Sequence, residues 1–286
     1  MRNFNELIRP YLIAEVGINH NGDLQIAKQL IDATFACSWD CVKFQKRNPD
    51  ICVPEKQKSV IRKTPWGEMT YLEYKHKLEF GKKEYDYIDQ YCREKPLDWS
   101  LSVWDVDSLR FAVNYNLPFI KIPSAHLTHH ELLKEACNSK LPIILSTGMS
   151  DIEEIDKAVE ILDEFASQYV LLHCNSSYPA RYDELNLRMI PKFKERYNCL
   201  VGYSGHEYGL ESTAVAASLG VVVVERHITL DHSMWGTDQA SSVEVQGMDK
   251  LSKTIKVVSQ IIGDGQKRIF ESEKKAREKL RGFIDV

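Results

Sequence analysis

Residues 221–224 are four consecutive valines, followed at once by Glu225, Arg226 and His227. Four β-branched residues in a row read as a strand, over 221–227, that is buried on both faces as in a helix-covered parallel sheet. Burying valine is favourable; burying Glu, Arg and His without partners is costly. A chain that sets these groups at the C-terminal end of such a strand must give them a cleft or one another. The C-terminal mouth of a (β/α)8 barrel is such a place, because barrel enzymes build their sites there. The polar stretch Trp235-Gly236-Thr237-Asp238 then reads as a loop over that mouth.

The rest of the chain repeats one theme. Apolar strands are expected at 11–19, 41–45, 98–103, 119–124, 142–147, 169–174 and 200–204, before the valine strand. Helical periodicity covers 24–37, 82–94, 105–116, 129–138, 151–166, 185–197, 208–219 and 248–262. Asp23, and Ser150 or Asp151, stand where N-caps belong. Eight strands, each followed by a helix, predict an α/β protein with a single (β/α)8 TIM barrel over residues 1–265. Residues 266–286 form a charged, helical C-terminal tail outside the repeats. An open doubly wound sheet is the alternative, and the chain lacks the GxGxxG loop that would favour it. The long excursion 46–80, with Thr64-Pro65-Trp66-Gly67, is expected to be a functional, lid-like segment.

Composition narrows the class. The 43% of hydrophobic residues in 286 is enough for a large core. A net charge of −4 and a pI near 6.2 argue against a nucleic-acid or membrane-surface binder. Seven cysteines without a CxxC pair point to free thiols in a reducing, cytoplasmic setting. No apolar run reaches the roughly 18 residues of a membrane span.

Polar groups gather at the expected strand ends: Glu15, Gln45, Ser124, Asn175, Tyr178 and Ser204 among them. Lys43 and Lys121 fall inside strands, where a charge needs a partner. A multiply anionic substrate with hydroxyl and amide donors completing the cradle would supply one. Ion pairing with Glu15 or Glu225, or a Schiff-base role, are the alternatives. His206 and His227 stand at adjacent strand mouths, and with Glu225 nearby they can share a divalent cation. Such a mixed imidazole, carboxylate and water set suits Mn²⁺ first, with Mg²⁺ or Co²⁺ as alternatives. His173 and Cys174 read as a satisfied barrel histidine and a core thiol.

The ordered stretches AEVGINHNGD, VKFQ, KIPSAH, PIILSTGM, LLHCNSSYP, GYSGHE and ERHITLD…WGTDQASSVE resemble the N-acetylneuraminate (sialic acid) synthase family over residues 11–262. The resemblance implies a transferase that condenses phosphoenolpyruvate with the aldehyde of an N-acylated amino sugar, giving a nine-carbon 2-keto-3-deoxy acid and phosphate. It implies metal binding by His206 and His227, and phosphoenolpyruvate binding by Lys43, Lys121, Ser124, Asn175 and Ser204. Sugar contacts fall to Glu15, Gln45, Tyr178 and Asp238. Glu225, Lys43, Lys121 and Glu15 become the catalytic set, with Glu225 orienting a water. Departures exist: the position where the family often has Glu or Asp is His126 or is displaced by one, and Ser102-Val103-Trp104-Asp105 replaces a Ser-Thr-Pro stretch. Full-length members carry a C-terminal antifreeze-like domain that donates an arginine to the neighbouring subunit. The tail of this chain, with Arg268, Arg277 and Arg281, begins at that point. A homodimer completed by the tail, or by a separate antifreeze-like partner, is therefore expected.

Two rivals follow. A related condensing synthase using another aldose, such as an aldose phosphate, would need a further basic pocket; Arg62 and Lys63 are its candidates, in a segment whose aromatic and polar character favours an unphosphorylated sugar. A non-catalytic sugar-binding subunit would tolerate loss of the strand-end charges, and this chain retains them.

Overall fold

The computed structural model describes residues 2–166 and 168–282. Eight parallel strands close into a barrel: β1 Tyr11–Gly17, β2 Cys41–Lys46, β3 Asp98–Val103, β4 Ile120–Ile122, β5 Ile143–Ser146, β6 Tyr169–Cys174, β7 Leu200–Gly205 and β8 Val223–Thr229. Closure is by β1 on β8, with Tyr11 opposite Val223 and Glu15 opposite His227. The helices between them are α1 Leu24–Ala36, α2 Lys82–Glu94, α3 Val106–Ala112, α4 His130–Asn138, α5 Ile152–Phe165, α6 Met189–Tyr197, α7 Glu211–Ser218 and α8 Val245–Ile261. Asp23 caps α1 by accepting from Gln25 N, and Asp151, not Ser150, caps α5.

The period-2 alternation of each strand divides the core in two. Outward residues such as Leu12, Val42, Leu101, Ile120 and Val224 pack under the helices. Inward residues Ile13, Cys41, Ile144, Val170 and Val223 fill the barrel's lower half. Its floor is aromatic. Phe4, from the 3-10 turn Phe4–Glu6, lies 5.7 Å from the Tyr11 ring and 5.9 Å from the Phe119 ring.

The valine strand is displaced from its expected place. It begins at Val223 and runs through Thr229, two residues later than 221–227, so Glu225, Arg226 and His227 lie mid-strand rather than at its end. Alternation resolves the conflict: Glu225 and His227 point into the barrel, while Arg226 points out and pairs with buried Glu207 at 3.1 Å. Several helices also start late or stop early, α3 ending at Ala112. Gly209 (φ +75°) delays α7, and Asn186 (φ +42°) precedes α6, so both begin later than periodicity implied.

The excursion after β2 has structure of its own. A hairpin pairs Ile61–Thr64 with Gly67–Thr70, and the helix Tyr71–Leu78 follows, capped by Thr70. The ring of Trp66 meets Trp235 at 5.7 Å, and Tyr74 meets Trp235 at 5.3 Å. The lid therefore rests on the loop after β8. The tail contains the helix Glu271–Leu280, and residues 261–282 are exposed. Residues 283–286 of the expected tail lie outside the described residues. No helix among the described residues is long and apolar enough to cross a membrane.

Candidate active site

Above the apolar floor the inward positions change character. Lys43 on β2, Lys121 on β4, Glu15 on β1 and Glu225 on β8 form a buried layer of charge, each less than 5% exposed. Lys43 Nζ pairs with Glu15 Oε2, donates to Ser102 Oγ at 2.5 Å and lies 3.5 Å from Glu225. Lys121 Nζ donates to Ser146 Oγ at 2.6 Å and lies 3.7 Å from Glu225. Ser204 Oγ donates to Glu225 Oε1 at 3.2 Å. Ion pairing of the lysines with Glu15 and Glu225, an alternative in the sequence, is thus realised, and the same lysines line an open cavity. Buried charges persist when they are paired and hydrogen-bonded in this way.

The electrostatics follow from the packing. Burial opposes ionisation of Glu225, yet Lys121 and Lys43 hold it down at about 2. Burial likewise acts against Lys43, but Glu15 and Glu225 overrule it and keep the ammonium charged. Burial pushes Glu15 up, with Lys43 opposing, and pushes Lys121 down, with Glu225 opposing.

Two imidazoles stand over this layer. His206 donates Nδ1–H to the Asn175 carbonyl at 2.6 Å, which leaves Nε2 as the acceptor that Tyr178 OH reaches at 3.0 Å. The His206 and His227 rings are 5.5 Å apart, centroid to centroid. Burial, then the neighbouring His227, lowers His206 to about 4; burial lowers His227 too. His206 therefore presents a neutral ring at pH 7, with Nε2 as its acceptor. His227 Nδ1 is buried without a hydrogen-bond partner, 3.9 Å from Asp238 Oδ2. Gly17 (φ +57°) makes the close approach feasible: a Cβ there would stand 3.1 Å from His227 Cε1 and 3.2 Å from Gln45 Nε2.

The cavity enclosed by these groups measures about 200 Å³. Glu15, Lys43, Gln45, Lys121 and Ser124 line it, as do Tyr178, Ser204, His206, Glu225 and His227. Two expected residues sit elsewhere. Asn175 turns its side chain into an adjoining groove, accepting from Ser177 N at 2.8 Å, and serves the site through its carbonyl. Asp238 is outside the wall, behind His227. His173 points outward to the Leu185 carbonyl at 2.7 Å, and Cys174 is a buried thiol 3.2 Å from Ser124 Oγ. His126 packs its ring on Trp104 at 5.2 Å, and its Nε2 is buried without a partner. Ser176 also lines the cavity, and Arg47 buttresses it; sequence reasoning singled out neither. For Arg47 the signal was present, because it continues the inward alternation of Lys43 and Gln45.

A deep layer of paired charges thus lies under two imidazoles at the mouth of a closed barrel. The NeuB family model matches residues 30–267. The chain belongs to the NeuB family. An N-acetylneuraminate-9-phosphate synthase of Drosophila melanogaster is 38% identical over 253 residues, covering 86% of this chain and 67% of its own. An N,N'-diacetyllegionaminic acid synthase of Legionella pneumophila is 32% identical, covering 96% of this chain and 80% of its own. The crystal structure of an N-acetylneuraminic acid (sialic acid) synthetase from Leptospira borgpetersenii, in complex with citrate, superposes with a TM-score of 0.86 at 30% identity, covering 96% of this chain and 94% of that one. The NeuB fold and the closed barrel read from the sequence agree.

Proposed function

We propose that this NeuB-family chain condenses phosphoenolpyruvate with the open-chain aldehyde of an N-acylated amino sugar, releasing phosphate and a sialic-acid-like nonulosonate. The observation that carries the reading is the buried layer itself: two ammonium groups with serine hydroxyls at the bottom of a one-sided cavity. Lys43, Lys121, Ser124 and Ser204 hold the phosphate and carboxylate of phosphoenolpyruvate there, with Asn175 turning in from the adjoining groove. Glu15, Gln45 and Tyr178 receive the sugar, with Asp238 reaching it from outside the wall beside His227.

In the reaction C3 of phosphoenolpyruvate bonds to the aldehyde carbon, whose oxygen takes a proton. C2, left electron-poor, gains a water oxygen; the C–O bond to phosphate then breaks and the ketone forms. Glu225, ionised between its lysines, orients that water by accepting a hydrogen bond; of the two water protons, one ends on the aldehyde oxygen and the other leaves with the phosphate. The lysines stabilise the departing phosphate.

The imidazoles of His206 and His227 suit a divalent cation, Mn²⁺ first, by the neutrality of His206 and by the unpartnered His227 Nδ1. Among the described residues no group of three or more His, Cys, Asp or Glu side chains is gathered for a metal, so water would fill the remaining positions. A cation held there supplies Lewis-acid polarisation of the aldehyde oxygen.

One observation favours a second reading, in which the sugar carries a phosphate. Arg62 and Lys75 of the lid both rest on the Tyr71 ring, at 5.0 and 5.2 Å, and no carboxylate pairs with either among the described residues. The mass of the product from phosphoenolpyruvate, Mn²⁺ and a panel of amino sugars, free and phosphorylated, tests both. No product with any sugar would overturn the function. A homodimer, in which the tail or a separate antifreeze-like partner completes the neighbouring site, belongs to the same reading.

A further inference from the structure

We propose that Arg47 is a positioning residue that fixes which way the Gln45 amide faces, and so gives the Gln45–Glu15 pair a single polarity toward the substrate. Arg47 is 5% exposed and immediately follows β2. Its Nη2 donates to Gln45 Oε1, its Nε lies 2.9 Å from Glu79 Oε1, and its guanidinium stacks 4.2 Å above the Trp104 ring. Its backbone N–H also donates to Glu79 Oε2 at 3.3 Å. Glu79 ends the lid helix, so one side chain ties the base of the lid to the wall of the cavity.

The chemistry of the groups dictates the orientation. A guanidinium has only donors, so the amide must present its oxygen to Arg47. The Gln45 nitrogen then faces Glu15, donating from Nε2 to Oε1 at 2.9 Å. A reversed amide would set its NH₂ against the guanidinium and its oxygen against the carboxylate, two repulsive contacts in a buried place. With Arg47 in position, a ligand hydroxyl meets a donor on Gln45 beside an acceptor on Glu15. Arg47 touches no reacting atom. Its role is discrimination of the sugar's hydroxyl pattern, and it rests on the proposal that Gln45 and Glu15 contact the sugar.

Steady-state kinetics on the full chain with Arg47→Lys, Arg47→Gln, Arg47→Met, Gln45→Met and the double variant Arg47→Met/Gln45→Met test this. Lysine also only donates, whereas glutamine can present an oxygen and permit the reversed amide. The KM for the sugar should rise tenfold or more in Arg47→Gln and Arg47→Met and about threefold or less in Arg47→Lys. The KM for phosphoenolpyruvate should stay within twofold throughout, and the double variant should be no worse than Gln45→Met. Arg47→Gln and Arg47→Lys carry the comparison if Arg47→Met fails to fold. Equal damage from lysine and glutamine, parallel rises in both KM values, or multiplying effects in the double variant would overturn the role while leaving the function intact. A wild-type protein inactive with every sugar would overturn the function and this role with it.

Discussion

Glu225 meets Lys121 at 3.7 Å although the two rise from β8 and β4, on opposite sides of the barrel. The charged layer is therefore one network spanning the axis, with Lys43 joining Glu225 to Glu15. Lys43→Met removes a partner from two carboxylates and should lower folding stability by about 3–5 kcal/mol, measured by urea unfolding. Lys121→Met removes one partner and should perturb the fold less, while costing on the order of 2–4 kcal/mol of transition-state stabilisation. Equal urea midpoints for both variants would contradict this network. A borohydride-trapped adduct with the sugar on either lysine would replace anion binding by imine chemistry.

Acid should weaken the protein well before the carboxylates titrate. Burial, and then Arg47, hold His20 down at about 3, and its ring stacks on Phe80 at 4.0 Å. The folded pKa lies below the unfolded value of 6.5, so the unfolded chain takes the proton first. Stability from this group is present above pH 6.5 and is lost as pH falls toward 3, with a limiting slope of about 1.4 kcal/mol per pH unit. His206 and His126, each lowered to about 4, act in the same direction, and Glu15, raised by burial, acts against them. The urea midpoint should drop between pH 7 and pH 4.5, and His20→Leu should flatten that drop even if its midpoint is lower throughout. An unchanged pH slope in His20→Leu would show that His20 does not contribute.

Chelation should abolish turnover and Mn²⁺ should restore it. His206→Ala and His227→Ala should each weaken Mn²⁺ binding at least tenfold by calorimetry. Undiminished binding in both variants, or full activity in chelator, would separate these imidazoles from any cation.

Ending the chain at Gly265 should leave the thermal midpoint of the barrel within a degree or two, because residues 266–282 are exposed. If the tail completes a neighbouring site, the same truncation raises the KM for the sugar while that for phosphoenolpyruvate holds. Unchanged kinetics would confine the site to the barrel.

Much of this was readable from residue order because alternation and chemistry coincide. Lys43 and Gln45, or Glu225 and His227, are two apart, so a strand register that buries one member aims the other into the same cavity. What eluded the sequence has physical causes. The shift of β8 by two residues depends on where Tyr11 N finds its acceptor, the Val222 carbonyl, and that is a pairing between distant segments. Asn175 lies beyond the strand end, where the Ser177 amide competes for its side chain. The hairpin at 61–70 gave no strand signal because its residues are mostly exposed. Arg47 continues the alternation of Lys43 and Gln45, but its role depends on Glu79 and Trp104, which come from distant segments.

The aromatic floor made by Phe4, Tyr11 and Phe119 turns the barrel into a blind shaft with one entrance. Whatever binds lowest must arrive first, and its remnant must wait until the upper occupant has gone. On the proposed function, phosphoenolpyruvate held on the lysines would be the leading substrate and phosphate the last product. Initial-rate patterns should be sequential and ordered, with phosphate competitive against phosphoenolpyruvate alone. Opening a second exit through Phe4→Ala would relax that order without touching a single polar group.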